Sequence, residues 1–459
     1  MNRAAPTTTR TDTDSAVDSG LRRDIRLPQA TAMVVGTIIG ASIFVQPSEI
    51  TGQVPSVSGI FLVWAIAGAL TLAGALVCAE LSSAFPRSGG VYVFLRESFG
   101  APLAFLWGWA MIWTMHSGII AAIAVIFGRY TSYFLPLGEA GGRAIAIAAI
   151  LLLSGVNILG VRHGSMLQSL FTAGKLGVVV LIVVLGFMFG GAAGDGALRV
   201  ATSTDAPLEL RSFALAVGAG LFAFGGWHMV TYTAGETENA RRTIPRALGI
   251  GTVVVTVSYI ALNAVYLYIL PMETVAASNR IAADAADAVL GSGGGAAMAG
   301  LVVFSAFGAL AGIILAGPRV YYAMAQDGLI FRWLGSVHPE RRTPDRAIVL
   351  QAVWSSVLVA TGTYRALFTR VIYTEWIFFG LMAIGLILLR RRPEYAPSWR
   401  VPGFPVVPLL FAAAAFAIAA NQIASQPASS LAGLAMVLAG LPVYWLWKSV
   451  TGTTPNAER

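Results

Sequence analysis

Few folds are open to a chain with twelve apolar runs of membrane-crossing length. The runs lie near residues 29–50, 57–83, 101–134, 143–161, 167–190, 212–236, 246–270, 296–327, 346–364, 370–390, 406–424 and 429–448. About 20 residues at 1.5 Å each cross a bilayer's hydrocarbon core. In lipid the backbone must pair its own N–H and C=O groups, which a helix does within one segment. Twelve spanning helices are therefore expected, the longer runs tilting to fit. Composition agrees: only 11% of the 459 residues are charged, against about 25% in a soluble domain.

The net charge of +8 raises nucleic acid as a partner, but the basic residues form no single patch and none is expected. They follow orientation instead. With twelve spans both termini share a side, and 21 of the 30 Lys and Arg residues fall in the two tails and the loops on that side. Seven fall opposite, and Lys175 and Arg319 lie inside runs. Both termini are thus expected to be cytoplasmic, since cytoplasmic loops carry the excess of Lys and Arg. Residues 1–20 are polar, rich in Thr and Asp, and lack the apolar stretch of a signal peptide. The expected organisation is a disordered tail over 1–27, a ten-helix core over 28–392, two further helices over 393–448 and a tail over 449–459. The single cysteine, Cys78, sits in an apolar run, so no intrachain disulfide forms.

Two stretches break the helical pattern. Gly36-Thr-Ile-Ile-Gly40-Ala-Ser-Ile-Phe44 lies in the first run and Phe222-Ala-Phe-Gly225-Gly226-Trp227 in the sixth. Glycine costs about 1 kcal/mol relative to alanine inside a helix. One explanation is close packing, which small residues allow in membranes. The other is that both helices unwind, because paired interruptions in two halves mark the binding site of a secondary transporter. The second half of helix one would then present amides near Ala41 and Ser42, at the positive end of its dipole, where a carboxylate binds. The first half of helix six would end in bare carbonyls near Phe222, and these, with carbonyls around Ile38, suit an ammonium group. A zwitterion, an α-amino acid, fits both.

The same stretches resemble the helix-one and helix-six signatures of the amino acid–polyamine–organocation superfamily, in particular its L-type amino acid transporter branch, which has the LeuT fold. Pro86-Arg-Ser-Gly-Gly-Val-Tyr-Val-Phe-Leu-Arg96, Glu236-Thr-Glu-Asn-Ala-Arg-Arg-Thr-Ile-Pro-Arg246 and Ala323-Met-Ala-Gln-Asp-Gly-Leu329 add to the resemblance, which spans roughly residues 29–392. It implies an all-α fold of five plus five inverted helices with two extra. It also implies amino acid transport by alternating access. The substrate carboxylate would meet the amides of Ala41 and Ser42 past the turn at Gly40. Its ammonium would meet the carbonyls of Ile38, Phe222 and Gly225, and Phe222 would form the outer lid. Where the family has Ser-Gly, this chain has Ala41-Ser42, which adds a side chain beside the carboxylate.

Lys175, in the fifth run, would lie about 12 Å deep if that helix began near Leu167. That is beyond the reach of snorkelling, and an intramembrane charge points to function. The resemblance implies that it replaces the sodium ion of sodium-coupled relatives, its ammonium on carbonyls of helices one and eight. That leaves proton coupling or exchange. Glu375 in the tenth run would recognise a cationic substrate, carry a proton, or pair with Arg365 or Arg370; pairing is the expectation. Arg319 is expected to pair with Glu80 or Glu236. His116 and His228 are candidates for contact with the substrate's side chain, set against a packed structural role. No histidine pair has metal-ligand spacing, and no hydrolase or nucleotide-binding motif occurs. No metal, cofactor or catalytic residue is expected.

The overall expectation is sodium-independent carriage of a neutral L-amino acid across a plasma membrane, that of a bacterium given the lack of targeting segments. A cationic amino acid or polyamine is the alternative substrate, and a non-transporting sensor the alternative role. The loop after helix three has no cysteine, so a disulfide-linked partner subunit is not expected.

Overall fold

The computed structural model describes residues 20–40, 42–44, 46–189, 209–278, 281–290, 293–363, 371 and 373–451. Among them there is no strand. The one strand-like pairing is a bridge between Ile25 and Thr237. The helices are α1 (Leu27–Ile38), α2 (Gln46–Gln53), α3 (Val57–Ala84), α4 (Val91–Phe99), α5 (Ala101–Thr131, with a π turn at Met111–Met115), α6 (Gly138–Leu159), α7 (Val161–Phe189) and α8 (Leu210–Ala223). The longer ones continue as α9 (Ala240–Ile269) and, past two short helices at Met272–Ala277 and Ile281–Leu290, α10 (Gly294–Ala316), α11 (Pro318–Gln326), α12 (Asp345–Thr361), α13 (Thr374–Leu389), α14 (Val406–Ser425), α15 (Pro427–Leu438) and α16 (Gly440–Thr451). Nine stretches among the described residues are long and apolar enough to cross a membrane, and α1 and α13 are shorter apolar helices.

α1 is enclosed by α7, α9 and α10, while α9 lies along α3. Small residues set these approaches. A Cβ on Gly36 would fall 2.1 Å from Thr172 Oγ1 and 2.3 Å from Gln168 Nε2, both on α7. Gly36 is therefore a packing glycine, as small residues are between membrane helices. Gly40 differs: a Cβ there would meet nothing nearer than Ile38 O at 3.9 Å.

One end of the bundle is held by charge. Arg319, where α10 passes into α11, is fully buried against Glu236, with Nε to Oε2 at 2.6 Å and Nη2 to Oε1 at 2.9 Å. Of the two partners expected for this arginine, Glu236 takes it. Glu80 instead meets Arg390 (2.7 Å) and accepts from the Val401 amide (2.6 Å). Arg96 Nη1 and the Tyr92 hydroxyl both donate to Asp327, at 2.6 and 2.7 Å. Burial raises the Asp327 carboxyl above its ordinary value, an effect Arg96 partly opposes.

At the same end the amides of Asp24 and Ile25 donate to Glu236 O (3.1 and 3.0 Å), and the Glu238 amide donates to Ile25 O (2.9 Å). Residues 20–26, assigned to a disordered tail by composition, thus include an ordered tether. Their polarity is satisfied by backbone pairing with the segment after α8, which local composition does not encode. The residues before 20 lie outside those described.

Candidate functional site

The first interruption begins where α1 stops at Ile38. Ile39 has φ −70° and ψ 88°, and the Gly40 amide donates back to Ile38 O at 2.8 Å. This is an inverse γ-turn, a compact way to leave a helix. One 3-10 turn, Ser42–Phe44, follows before α2. Ala41, the expected carboxylate contact, lies outside the described residues; Ser42 is partly exposed.

The second interruption begins after Ala223. The amides of Phe224 and Gly225 tighten the last turn by donating to Leu221 O (3.2 Å) and Phe222 O (3.1 Å). Gly226 then takes φ 97°, a left-handed conformation open to glycine at little cost. A Cβ there would also press on Thr37 O at 3.0 Å, so the conformation and the close approach both call for glycine. A 3-10 helix, Trp227–Glu236, carries the chain onward. Phe222 and Gly225 are both exposed, leaving this interruption open along one face.

Hydroxyl groups join the two interruptions. Thr37 Oγ1 is 3.1 Å from Gly226 O. The Tyr259 hydroxyl on α9 lies 3.1 Å from Ile38 O and 3.1 Å from Ala223 O. A tyrosine hydroxyl has one proton to donate, so the two carbonyls share it. Its ring is fixed by Trp64 (5.4 Å between centroids) and Phe224 (5.0 Å). From α10, Ser305 Oγ reaches Gly40 O at 3.3 Å. The sequence reading singled out none of Thr37, Tyr259 and Ser305. A lone hydroxyl inside an apolar run has no spacing signature, and its partners are chosen by tertiary packing.

Lys175 is buried on α7, and its Nζ donates to Gly36 O (3.0 Å) and Ile39 O (2.8 Å). α7 begins at Val161 rather than near Leu167, which places the lysine about 21 Å along the helix. Both acceptors belong to helix one. Among the described residues no α10 carbonyl takes part, although a Cβ on Gly308 would come within 2.9 Å of the lysine's Cε. The ammonium therefore sits at the γ-turn itself.

The remaining candidates separate. His116 is buried on α5 with Nε2 2.9 Å from Ile313 O on α10, which gives it a structural partner away from the open carbonyls. His228 follows the second interruption and is packed by Phe379 (4.7 Å), Trp227 (5.4 Å) and Tyr232 (5.5 Å). Glu375 Oε1 stands 3.7 Å from His228 Nε2. Arg365 and Arg370, its expected partners, lie outside the described residues. Among the described residues no group of three or more His, Cys, Asp or Glu is arranged to hold a metal ion.

Stacked apolar helices with two interruptions joined by hydroxyl groups define a multi-pass membrane protein with a small polar centre. The chain matches the family described as amino acid permease over residues 25–446. It is 32% identical to the serine/threonine exchanger SteT of Bacillus subtilis, covering 93% of this chain and 97% of that protein. It is 30% identical to the human b(0,+)-type amino acid transporter 1 (94% and 88% covered). Identity to the human large neutral amino acids transporter small subunit 2 is 31% (93% and 80% covered). The chain belongs to the amino acid permease family, in the L-type-like branch of the amino acid–polyamine–organocation superfamily. Its family and relatives are amino acid transporters rather than enzymes.

Proposed function

We propose that this chain carries a neutral L-amino acid across the plasma membrane by alternating access, without sodium, coupled to protons or to exchange. The reading includes cytoplasmic termini and a ten-helix inverted-repeat core over 28–392 followed by two helices. One observation carries it: two interrupted helices meet at hydroxyl-bridged carbonyls, with the Lys175 ammonium on the turn of the first. The substrate carboxylate takes the amide end at Ala41 and Ser42. Its ammonium displaces the shared hydroxyl from Ile38 O and engages the exposed edge at Phe222 and Gly225, over which the Phe222 ring closes. The Lys175 Nζ on Ile39 O occupies the place a sodium ion would need. Cys78, the chain's single cysteine, is buried with its thiol 3.6 Å from Met382 Sδ, which leaves no thiol for a disulfide-linked partner subunit.

One observation favours a second reading. Glu375 meets no Lys or Arg among the described residues, so a cationic amino acid or polyamine is the alternative substrate. Counterflow of labelled amino acids in proteoliposomes, with and without sodium, tests both. Exchange of neutral L-amino acids without sodium is expected. Inhibition by arginine, lysine or putrescine alone would reverse the substrate class, and a steep sodium requirement would overturn the role given to Lys175. Binding without flux would indicate a sensor.

A further inference from the structure

Just past the second interruption the bundle holds an acid and a base that stand just beyond hydrogen-bond distance. His228 is fully buried. Its ring is enclosed by Phe379, Trp227, Tyr232 and, from α5, Trp107 at 6.3 Å. Among the described residues neither ring nitrogen has a hydrogen-bond partner, nor has Trp107 Nε1 or the Tyr232 hydroxyl. Leaving one such group unpaired costs about 1–3 kcal/mol. Glu375 Oε1 lies 3.7 Å from His228 Nε2, beyond hydrogen-bond length, and its side chain is 18% exposed against 2% for the histidine.

We infer that His228 and Glu375 together form the proton-binding site that couples transport. Without the proton, the pair holds one negative charge that meets no Lys or Arg among the described residues, a costly state inside an apolar bundle. With it, the pair is neutral overall, and Nε2 and Oε1 close to an ordinary hydrogen bond of about 2.7–3.2 Å. The proton enters at Glu375, the accessible member, bridges to His228 and leaves by the same carboxylate once access has switched; no other bond is made or broken. The titratable neighbours are His116 on α5, beside His228, and Tyr232 on the same segment, beside Glu375; Tyr232 in turn faces Tyr321 on α11 and Cys78 on α3. None of these is a fixed charge, and His116 Nε2 already faces Ile313 O. Joining α13 to the segment after α8, the closure gives protonation a mechanical consequence for the interrupted helix.

The inference rests on the transport reading, and the test separates the two. In proteoliposomes an alkaline interior should drive accumulation of a labelled neutral amino acid, and an internal pyranine signal should report proton entry with it. The ratio of pH-driven accumulation to counterflow at equal pH should fall at least tenfold in Glu375→Gln and in His228→Gln. An unchanged ratio overturns the inference, as does an altered competitor panel at unchanged ratio, which would make the pair a side-chain subsite. Wild-type counterflow with no pyranine response also overturns it while leaving transport intact. Absence of counterflow in the wild type removes the transport reading first. Should a Gln variant fail to fold, Glu375→Asp and His228→Asn are read in its place for the same ratio, and an unchanged ratio there overturns the inference.

Discussion

The ten-residue stretch Trp227–Glu236 carries a buried acid–base pair near each end, and the surroundings treat the two oppositely. At its end, Glu236 receives both arms of the Arg319 guanidinium, and a third nitrogen of Arg319 donates to Leu315 O at 2.6 Å. At its start, His228 and Glu375 stand 3.7 Å apart with the ring nitrogens unpartnered. A buried pair of fixed charges holds only when its hydrogen bonds are met, and breaking one is expensive. The far end of the segment is thereby fastened to α11 and, through Asp24 and Ile25, to the start of α1. The near end, beside the site, has protonation states left to it. A carrier needs both, one region that keeps its geometry and one whose charge can change.

The largest predicted effect follows from the fastened end. Arg319→Met strands the Glu236 carboxylate, a loss of about 3–5 kcal/mol, seen as a steep fall in melting temperature of the detergent-solubilised protein. Adding Glu236→Gln should recover most of it, because the stranded charge goes too. A double variant no better than the single would mean that the pair is not the fixed element.

Lys175 stands between the extremes, since it is buried like Arg319 but its partners are two carbonyls rather than a carboxylate. Hydrogen bonds from charged groups contribute about 1.5–3 kcal/mol each. Lys175→Met should therefore lower sodium-free uptake at least tenfold while the protein still elutes as a single species on size exclusion. Uptake that persists would detach the lysine from the site. Tyr259→Phe is milder: it removes one proton shared by Ile38 O and Ala223 O and keeps the ring against Trp64 and Phe224. Because the substrate ammonium displaces this hydroxyl from Ile38 O, KM should fall by about fivefold, about 1 kcal/mol, read from uptake against substrate concentration.

What the residues disclosed in advance follows the same division. Lipid forces each spanning segment to pair its own backbone, so the apolar runs are readable one by one, and α3, α5 and α14 begin and end close to where the runs do. The two glycine-rich stretches mark the interruptions, yet their glycines act differently. Gly36 makes room for Thr172 and Gln168, while Gly226 turns the chain against Thr37, and no local pattern tells these uses apart. Two carboxylates were open to Arg319, and only the packing of α11 on the segment after α8 selects Glu236. The meeting of His228 with Glu375 joins residues from distant parts of the chain, which spacing along one helix cannot reveal.

The smallest predicted effect bears hardest on the contrast between the two pairs. Glu375→Gln keeps shape and hydrogen-bonding capacity and deletes a charge that has no fixed counter-ion among the described residues. Replacing an ill-compensated buried charge by a neutral group is neutral or mildly stabilising, so thermal stability should change by about 0–1 kcal/mol upward. A drop of about 3 kcal/mol or more, the scale of a broken buried pair, would mean that Arg365 or Arg370 holds the carboxylate. The two ends of the segment would then be alike, both fastened, and the proton would have to bind elsewhere. The measurement is the same melting assay used for Arg319→Met, so the two pairs can be set on one scale.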